Sequence, residues 1–136
     1  MAKKKVLKGS NESSREKRLH LPLGAGTSIL DPRVQTVIDF MNANLHRRIR
    51  STQLAEVAVL SSSRLSHIFK SETGLAPGEY LIGLRMEKAR HLLTTSRLRI
   101  KEIMVMSGYY DKGLFARQFR KSFGLAPSIY RKAVST

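Results

Sequence analysis

The sequence predicts an all-α fold of seven helices, and two observations support this prediction. From residue 31 onwards, apolar residues recur at the i, i+3, i+4 spacing of helices buried on one face, and no segment shows the strict alternation of a strand. In addition, one short stretch returns 50 residues further along the chain. With 136 residues and a 41% hydrophobic fraction, the chain has room for one ordinary domain with a buried core.

Helix 1 is predicted from about residue 32 to residue 45. Asp31 is a suitable N-cap, because its carboxylate can accept from a free N–H group, and Pro32 suits the first helical position. The apolar residues that follow at helical spacing are Val34, Val37, Ile38, Met41 and Leu45.

A short helix 2 is predicted after Ser51, and helix 3 is predicted from Ser61 or Ser62 to a glycine stop at residue 74. Serine is favoured at the N-cap, and glycine is favoured just after the last turn. The inward-facing residues of these two helices are Leu54, Ala55, Ala58, Leu65, Ile68 and Phe69.

Helix 4 is predicted to be the longest helix, from Pro77 to about Thr94. Its apolar residues repeat at intervals of 4, 3 and 4, and they are Ile82, Met86, Ala89 and Leu93. Three shorter helices follow, at about Ile100–Ser107, Asp111–Phe123 and Pro127–Lys132.

The stretch that returns contains Gly-Leu-Ala-Pro, which is identical at residues 74–77 and 124–127. Each copy has the order helix, tight turn, helix, glycine stop and proline start, with one extra residue around Tyr109-Tyr110 in the second turn. This is the layout of a helix-turn-helix unit, although short helix pairs also occur in structural bundles. The sequence thus predicts a seven-helix domain with two helix-turn-helix subdomains, at about 31–76 and 97–133, joined by a long linker helix at about 77–94.

Charge separates a basic flexible arm or linker, residues 1–30, from the predicted domain at 31–133. The chain carries 25 Lys and Arg against 10 Asp and Glu, a formal net charge of +15. Residues 1–30 contribute +5 and the remainder contributes +10, so the helical part is itself basic. A balance this lopsided is typical of a protein with a polyanionic partner.

An enzyme is disfavoured by what the sequence lacks. There is no cysteine, no glycine-rich phosphate loop, and the four histidines have no metal-ligand spacing. We therefore expect no catalytic residue, no metal and no cofactor. No apolar stretch is long enough for a membrane span or a signal peptide, so no membrane association and no secretion are expected.

The aromatic residues could serve as a base-stacking platform, but their helical spacing beside glycine stops favours core packing. They are Phe69, Phe115, Phe119, Phe123, Tyr80 and Tyr130. If they face inward, the opposite faces of helices 3 and 6 are polar and superpose under the 50-residue shift, at positions 63/113, 66/116, 67/117 and 70/120.

The chain resembles the AraC/XylS-type DNA-binding domain of bacterial transcription regulators over residues 32–132. The residues that carry the resemblance are Leu54-Ala55, Ala58, Ser61, Leu65, Phe69-Lys70, Gly74, Pro77, Tyr80, Leu84-Arg85-Met86, Ala89, Leu92-Leu93, Ile103, Gly108-Tyr109, Asp111, Phe115, Phe119-Arg120, Phe123-Gly124, Pro127 and Tyr130. The resemblance implies two helix-turn-helix units bridged by helix 4, with helices 3 and 6 inserted into successive major grooves of duplex DNA. It also implies a bacterial, cytoplasmic, nucleoid-associated regulator that recruits or obstructs RNA polymerase, with an isolated domain that is monomeric.

Five positions depart from the pattern of this family. Ala76 and Ala126 replace the Ser or Thr common before the helix-opening proline, and neither can cap, at a cost of roughly 1 kcal/mol each. Met104 stands where a small residue is familiar, and Gly113-Leu114 replaces a Ser-Tyr pair. Because glycine offers a base edge nothing to bond, specific recognition through helix 6 is the weaker half of the prediction.

The resemblance implies that the outward positions of helices 3 and 6 read bases, with the pair 70/120 more often near phosphate. Arg117 is the main candidate for direct readout, since a guanidinium can bond guanine O6 and N7 together, and phosphate contact is the alternative. His67 could bond guanine or phosphate, or simply be solvated. The predicted DNA-binding residues are Ser62, Ser63, Arg64, Ser66, His67, Lys70, Lys112, Gly113, Ala116, Arg117, Arg120 and Lys121.

Two interpretations remain open on the sequence. A non-specific basic protein that binds nucleic acid is the alternative to a sequence-specific regulator, and the basic arm and Gly113 favour it. Many members of the family carry an effector-sensing or dimerising domain, which thirty arm residues cannot form. The chain is then either a stand-alone regulator or a piece of a longer one.

Overall fold

The computed structural model describes residues 29–135, and within this range it contains seven α-helices and no strand. The helices are α1 (Pro32–Ala43), α2 (Ser51–Ala58), α3 (Ser62–Thr73), α4 (Pro77–Thr95), α5 (Ile100–Met106), α6 (Lys112–Phe123) and α7 (Pro127–Val134). The predicted all-α class and the seven helices are confirmed. The arm predicted at 1–30 lies almost wholly outside the described residues. None of the helices described is long and apolar enough to cross a membrane.

Helix ends differ from the prediction by one or two residues. α1 ends at Ala43 rather than at residue 45, because Asn44 leaves helical geometry at φ −128° and its side-chain amide donates to the carbonyl of Phe40 at 2.8 Å. α7 continues two residues beyond the predicted Lys132, to Val134. Asp31 is the N-cap of α1 as expected, since its carboxylate accepts from the N–H of Arg33 at 2.8 Å.

Two hydrophobic clusters form the interior, and α4 contributes to both. The first joins α1, α2 and α3 to the start of α4, and the second joins the rest of α4 to α5, α6 and α7. We call α1–α3 the first unit and α5–α7 the second unit. The buried residues of α4 are Tyr80, Leu81 and Leu84 in the first cluster and Met86, Ala89 and Leu93 in the second.

The predicted apolar stripe of α4 is therefore only partly correct. Met86, Ala89 and Leu93 are buried, but Ile82 is only partly buried at the margin of the second cluster. A single stripe assumes one core on one side of a helix. α4 buries different faces in its two halves because the cores that it joins lie on different sides.

The 50-residue repeat is also a repeat of packing geometry. Phe69 meets Tyr80 nearly edge to face, with ring centroids 5.2 Å apart and planes at 83°. Phe119 meets Tyr130 in the same way, at 5.4 Å and 82°. Such edge-on pairs stabilise a core by about 0.5–1.5 kcal/mol beyond the burial of their surfaces. These aromatic rings pack in the interior, as the helical spacing predicts, although Phe123 and Tyr130 are only partly buried.

The two helices that open without a capping side chain differ in how they compensate. At Ala76 the backbone N–H donates instead to the carboxylate of Glu79 at 3.0 Å. At Ala126 the corresponding position is occupied by Ile129, which offers no acceptor. α7 thus begins with proline as its only favourable start signal.

Candidate nucleic-acid interface

The amino ends of α3 and α6 are fixed by equivalent caps. The hydroxyl of Ser61 accepts from the N–H of Arg64 at 3.2 Å, and the carboxylate of Asp111 accepts from the N–H of Leu114 at 3.0 Å. Each cap satisfies one of the four N–H groups that a helix leaves free at its start. The remaining N–H groups and the helix dipole favour an anion at both ends.

One face of each of these helices is buried and the other faces solvent. In α3, Leu65 and Phe69 are 2% and 0% exposed, and in α6, Phe115 and Phe119 are 1% and 0% exposed. Eleven of the twelve predicted contact residues are exposed, while Ala116 is only partly so. The exposed ones are Ser62, Ser63, Arg64, Ser66, His67, Lys70, Lys112, Gly113, Arg117, Arg120 and Lys121.

Gly113 has a role that its lack of a side chain does not reveal. A Cβ added there would lie 3.3 Å from Nη1 of Arg117 and 3.4 Å from a carboxylate oxygen of Asp111. The guanidinium of Arg117 therefore lies along the first turn of α6, beside the space that glycine leaves open. A larger residue at this position would push the guanidinium away from the amino end of the helix.

The cations on the two exposed faces have no carboxylate partner within the described part of the chain. Within that part, the ion pairs join Arg33 to Asp31, and two further arginines to acidic residues three positions away in sequence, Arg90 to Glu87 and Arg99 to Glu102. α6 carries four basic residues and no acidic one, namely Lys112, Arg117, Arg120 and Lys121. Unpaired cations on an exposed face are suited to contacting phosphate.

Three helix amino ends meet at one shallow cavity of about 200 Å³. It is lined by the first residues of α2, α3 and α4, including Ser51, Ser62 and Pro77, together with Ser66 on the exposed face of α3. The amino ends of three helices thus border the cavity, next to the exposed face of α3, and helix amino ends favour a negatively charged group.

Sequence reasoning missed a basic loop beside this cavity. Arg47, Arg48 and Arg50 are exposed, and Arg50 is the last residue before α2. The run of basic residues at 46–50 indicates a positively charged segment. The sequence does not show where this loop lies, because a loop has no apolar periodicity from which a buried and an exposed face could be predicted.

Burial and hydrogen bonds to neighbouring residues shift the pKa of several groups in the described part of the chain. Burial raises the pKa of Tyr80 to about 12 and that of Tyr109 to about 12, and burial lowers the pKa of Arg85. A hydrogen bond from the exposed Arg33 lowers the pKa of Asp31 to about 2. Among the described residues, no group of three His, Asp or Glu could hold a metal ion.

A second cavity, of about 270 Å³, lies between α4 and α6. Apolar residues such as Tyr80, Met86 and Phe123 line it, and its polar edge includes Gln118 and Lys121. It lies between the first half of α4 and the last turns of α6.

Comparison with known proteins identifies a matching family model and similar proteins. A family model described as a helix-turn-helix domain matches residues 54–133. The lactose operon transcription activator of Staphylococcus xylosus is 34% identical over 103 residues, which are 76% of this chain and 37% of that protein. The XylDLEGF operon transcriptional activator 2 of Pseudomonas putida is 34% identical over 101 residues, covering 72% of this chain and 64% of that one. The chain thus spans less than two thirds of the length of these curated relatives.

Two solved structures are similar over most of the described residues. The C-terminal domain of AraT, a response regulator from Geobacillus stearothermophilus, has a TM-score of 0.74 and 31% identity, covering 78% of this chain and 88% of that one. The DNA-binding domain of AdpA, a global transcriptional factor solved in complex with a target DNA, has a TM-score of 0.71 and 31% identity, covering 76% and 92%.

Proposed function

The chain belongs to the AraC-type family of helix-turn-helix transcription regulators, and from this premise we propose that it is a sequence-specific regulator that inserts α3 and α6 into successive major grooves of one DNA duplex. The observation that carries the proposal is the pair of matching exposed faces. Each lies on a capped twelve-residue helix, opposite a buried phenylalanine, and each carries cations without carboxylate partners in the described range. An α-helix fits the major groove, which is about 12 Å wide.

The residues on these faces divide between base readout and phosphate contact. Arg117 would bond guanine O6 and N7 from the first turns of α6, and His67 occupies the equivalent position in α3. Ser63 and Ser66 can bond either base edges or phosphate. The phosphate contacts would come from Arg64, Lys70, Lys112, Arg120 and Lys121, and from the amino ends of α2, α3 and α4.

A single copy can cover one complete site under this proposal. Two recognition helices on one chain, about one duplex turn or ~34 Å apart, would occupy a site of about 20 base pairs without palindromic symmetry. We expect the domain to bind as a monomer and to act on transcription by recruiting or obstructing RNA polymerase. Such a protein works where the chromosome lies, in the bacterial cytoplasm and associated with the nucleoid.

Selection of bound duplexes from a random pool, followed by sequencing, tests the proposal. We expect a motif of two half-sites about one helical turn apart, because the two exposed faces belong to one chain. A motif with a single half-site would contradict insertion of both helices.

A non-specific nucleic-acid-binding protein is the second candidate, and one observation favours it. Gly113 and Ala116 give the face of α6 few groups that can bond a base edge. Competition with random duplex separates the two candidates: a specific regulator should prefer its selected site by at least ~10³-fold. Equal competition by random duplex would support the second candidate.

A further inference from the structure

Three successive backbone carbonyls after α1 face the second unit and α4. They belong to Leu45, His46 and Arg47. The carbonyl of Leu45 lies against the Cα of Gly108. The carbonyl of His46 accepts a hydrogen bond from the hydroxyl of Tyr110 at 2.8 Å. The carbonyl of Arg47 accepts one from Nη2 of Arg85, also at 2.8 Å. Because these bonds join residues 38 and 64 positions apart in sequence, they hold α4 and the second unit against the first unit rather than shaping a local turn.

Gly108 is required both by this contact and by its turn. Its φ of +91° is left-handed, and a Cβ added there would lie 2.1 Å from the carbonyl oxygen of Leu45. The first turn supplies an internal comparison, since Val59 stands at the equivalent position with a φ of +58° and is 86% exposed. Solvent thus leaves room for a side chain at Val59, whereas Leu45 of the first unit and the side chain of Arg85 leave none at Gly108.

Tyr110 is the extra residue of the second turn. The other turn residues have counterparts: Leu60 and Tyr109 both pack inward, and Ser61 and Asp111 are both N-caps. Tyr110 has none, and its ring is 64% exposed. The additional residue of the second turn is therefore the one whose hydroxyl donates a hydrogen bond to the first unit.

Arg85 completes the contact from α4. Its guanidinium carbon lies 5.9 Å from the ring centroid of Tyr109, which belongs to the second cluster, while Nη2 bonds a carbonyl of the first unit. Its Nε is buried and has no hydrogen-bond partner in the described residues. One side chain therefore touches both units at the point where α4 passes between them.

We propose that Arg85, Gly108 and Tyr110 form a latch that fixes the second unit against the first and so sets the spacing of the DNA half-sites that the protein accepts. The half-site claim rests on the proposed function. When one unit has bound, the other binds at an effective concentration that depends on how narrowly its position is restricted. A fixed orientation favours one spacing strongly, whereas a loose one spreads binding over several spacings.

The latch can be tested first without DNA. The chain has no cysteine, so Glu56→Cys in the first unit and Ser128→Cys in the second can carry a pair of spin labels at exposed positions. Pulsed dipolar spectroscopy should give one narrow distance distribution for the labelled parent chain. The double variant Arg85→Met/Tyr110→Phe should give a distribution that is broader or shifted.

Arg90→Met is the matched control, because it also removes one positive charge from α4. Its side chain contacts Glu87 on the same helix and Tyr130 in the second unit, and within the described residues it makes no hydrogen bond to the first unit. Identical distributions for the control and the latch variant would overturn the proposal. Circular dichroism and thermal unfolding check that each variant is folded. If the double variant does not fold, Tyr110→Phe alone, which removes one hydroxyl from an exposed ring, carries the same comparison.

The second test uses duplexes built from the selected site: the native spacing, one inserted base pair, and a single half-site. The inserted base pair should lower the DNA affinity of the parent chain and of Arg90→Met about 10²-fold. The latch variant should bind the duplex of native spacing about 10-fold more weakly than the parent chain does, and the insertion should lower its affinity by less than about 10-fold. Its affinity for the single half-site should equal that of the control. An equal loss on insertion for control and latch variant would refute the role in spacing. If the parent chain selects no duplex, the proposed function fails, while the spin-label distances still decide whether the latch exists.

Discussion

Arg117 shows how much of the candidate site follows from sequence at the level of one residue. Helical spacing predicts that it is exposed, and the structure confirms this. Its approach to the space beside Gly113 could not be predicted, because it depends on the side-chain rotamer and on the open room at the first turn. From the sequence, Gly113 is only a residue that cannot bond a base edge. In the structure, its lack of a side chain leaves room for the guanidinium of Arg117.

We expect Arg117→Ala to relax the base preference at one position of the selected motif. A bidentate arginine contact discriminates against the wrong base by about 1–3 kcal/mol, which is roughly 5- to 150-fold in affinity. Repeating the random-pool selection with the variant measures this. Lys121→Ala on the same helix is the control, because loss of a phosphate contact should weaken binding to all duplexes alike. An unchanged motif with Arg117→Ala would rule out its role in readout.

Val59 is a strained residue, since β-branched side chains disfavour its left-handed φ of +58°. We expect Val59→Asn to raise the free energy of unfolding by about 1 kcal/mol, because asparagine tolerates this conformation and the exposed valine packs against little. Urea denaturation measures the change. Val59→Ala should gain less, since alanine lacks the short polar side chain that can hydrogen-bond locally in this conformation. An absence of gain with asparagine would show that the backbone stores no strain there.

At the level of the helices, the sequence predicts where a helix begins better than where it ends or which of its faces is buried. Starts follow from local signals such as Asp31, Ser61 and the helix-opening prolines, all of which act as expected. The end of α1 depends on how the side chain of Asn44 competes for a backbone carbonyl, and the buried faces of α4 depend on where two cores lie. The first is a local competition by a side chain and the second depends on tertiary packing, and a periodic apolar pattern along one helix contains neither.

The uncapped start of α7 leads to a prediction about that helix. We expect Ala126→Ser to stabilise the protein by about 1 kcal/mol, because its hydroxyl can accept from a free N–H that no side chain now satisfies. Chemical denaturation at constant pH measures the gain. Ala43→Ser at the exposed last residue of α1 is the control, where a hydroxyl meets no free N–H and no comparable gain should appear.

Across the whole molecule, the exposed cations predict a steep salt dependence of DNA binding. If about 6–10 phosphates are contacted, affinity should fall roughly 10³–10⁵-fold between 50 and 200 mM salt, because condensed counterions are released on binding. Fluorescence anisotropy with a labelled duplex measures this. Lys121→Ala should reduce the slope of log affinity against log salt by about one. A nearly flat titration would contradict a phosphate-dominated interface.

The relation between the two units is the part of the molecule that sequence does not predict. The repeat identifies both units, and the apolar spacing identifies what each one buries. The contact between them instead uses the backbone carbonyls of Leu45, His46 and Arg47, and any residue type can supply a carbonyl. Only the extra Tyr110 and the glycine at 108 mark this contact in the sequence, and neither indicates its partner.

For protein engineering, the matching ends of α3 and α6 make the two helices interchangeable parts. Both have 12 residues, both begin at a capping side chain that binds the same N–H position, and both end at a glycine with φ near +85°, at +84° and +86°. Copying the exposed residues of α3 onto the equivalent positions of α6 would leave both phenylalanine faces untouched. On the proposed function, the resulting chain would select a direct repeat of one half-site, and a library of such exchanges would produce regulators with chosen operators from a single scaffold.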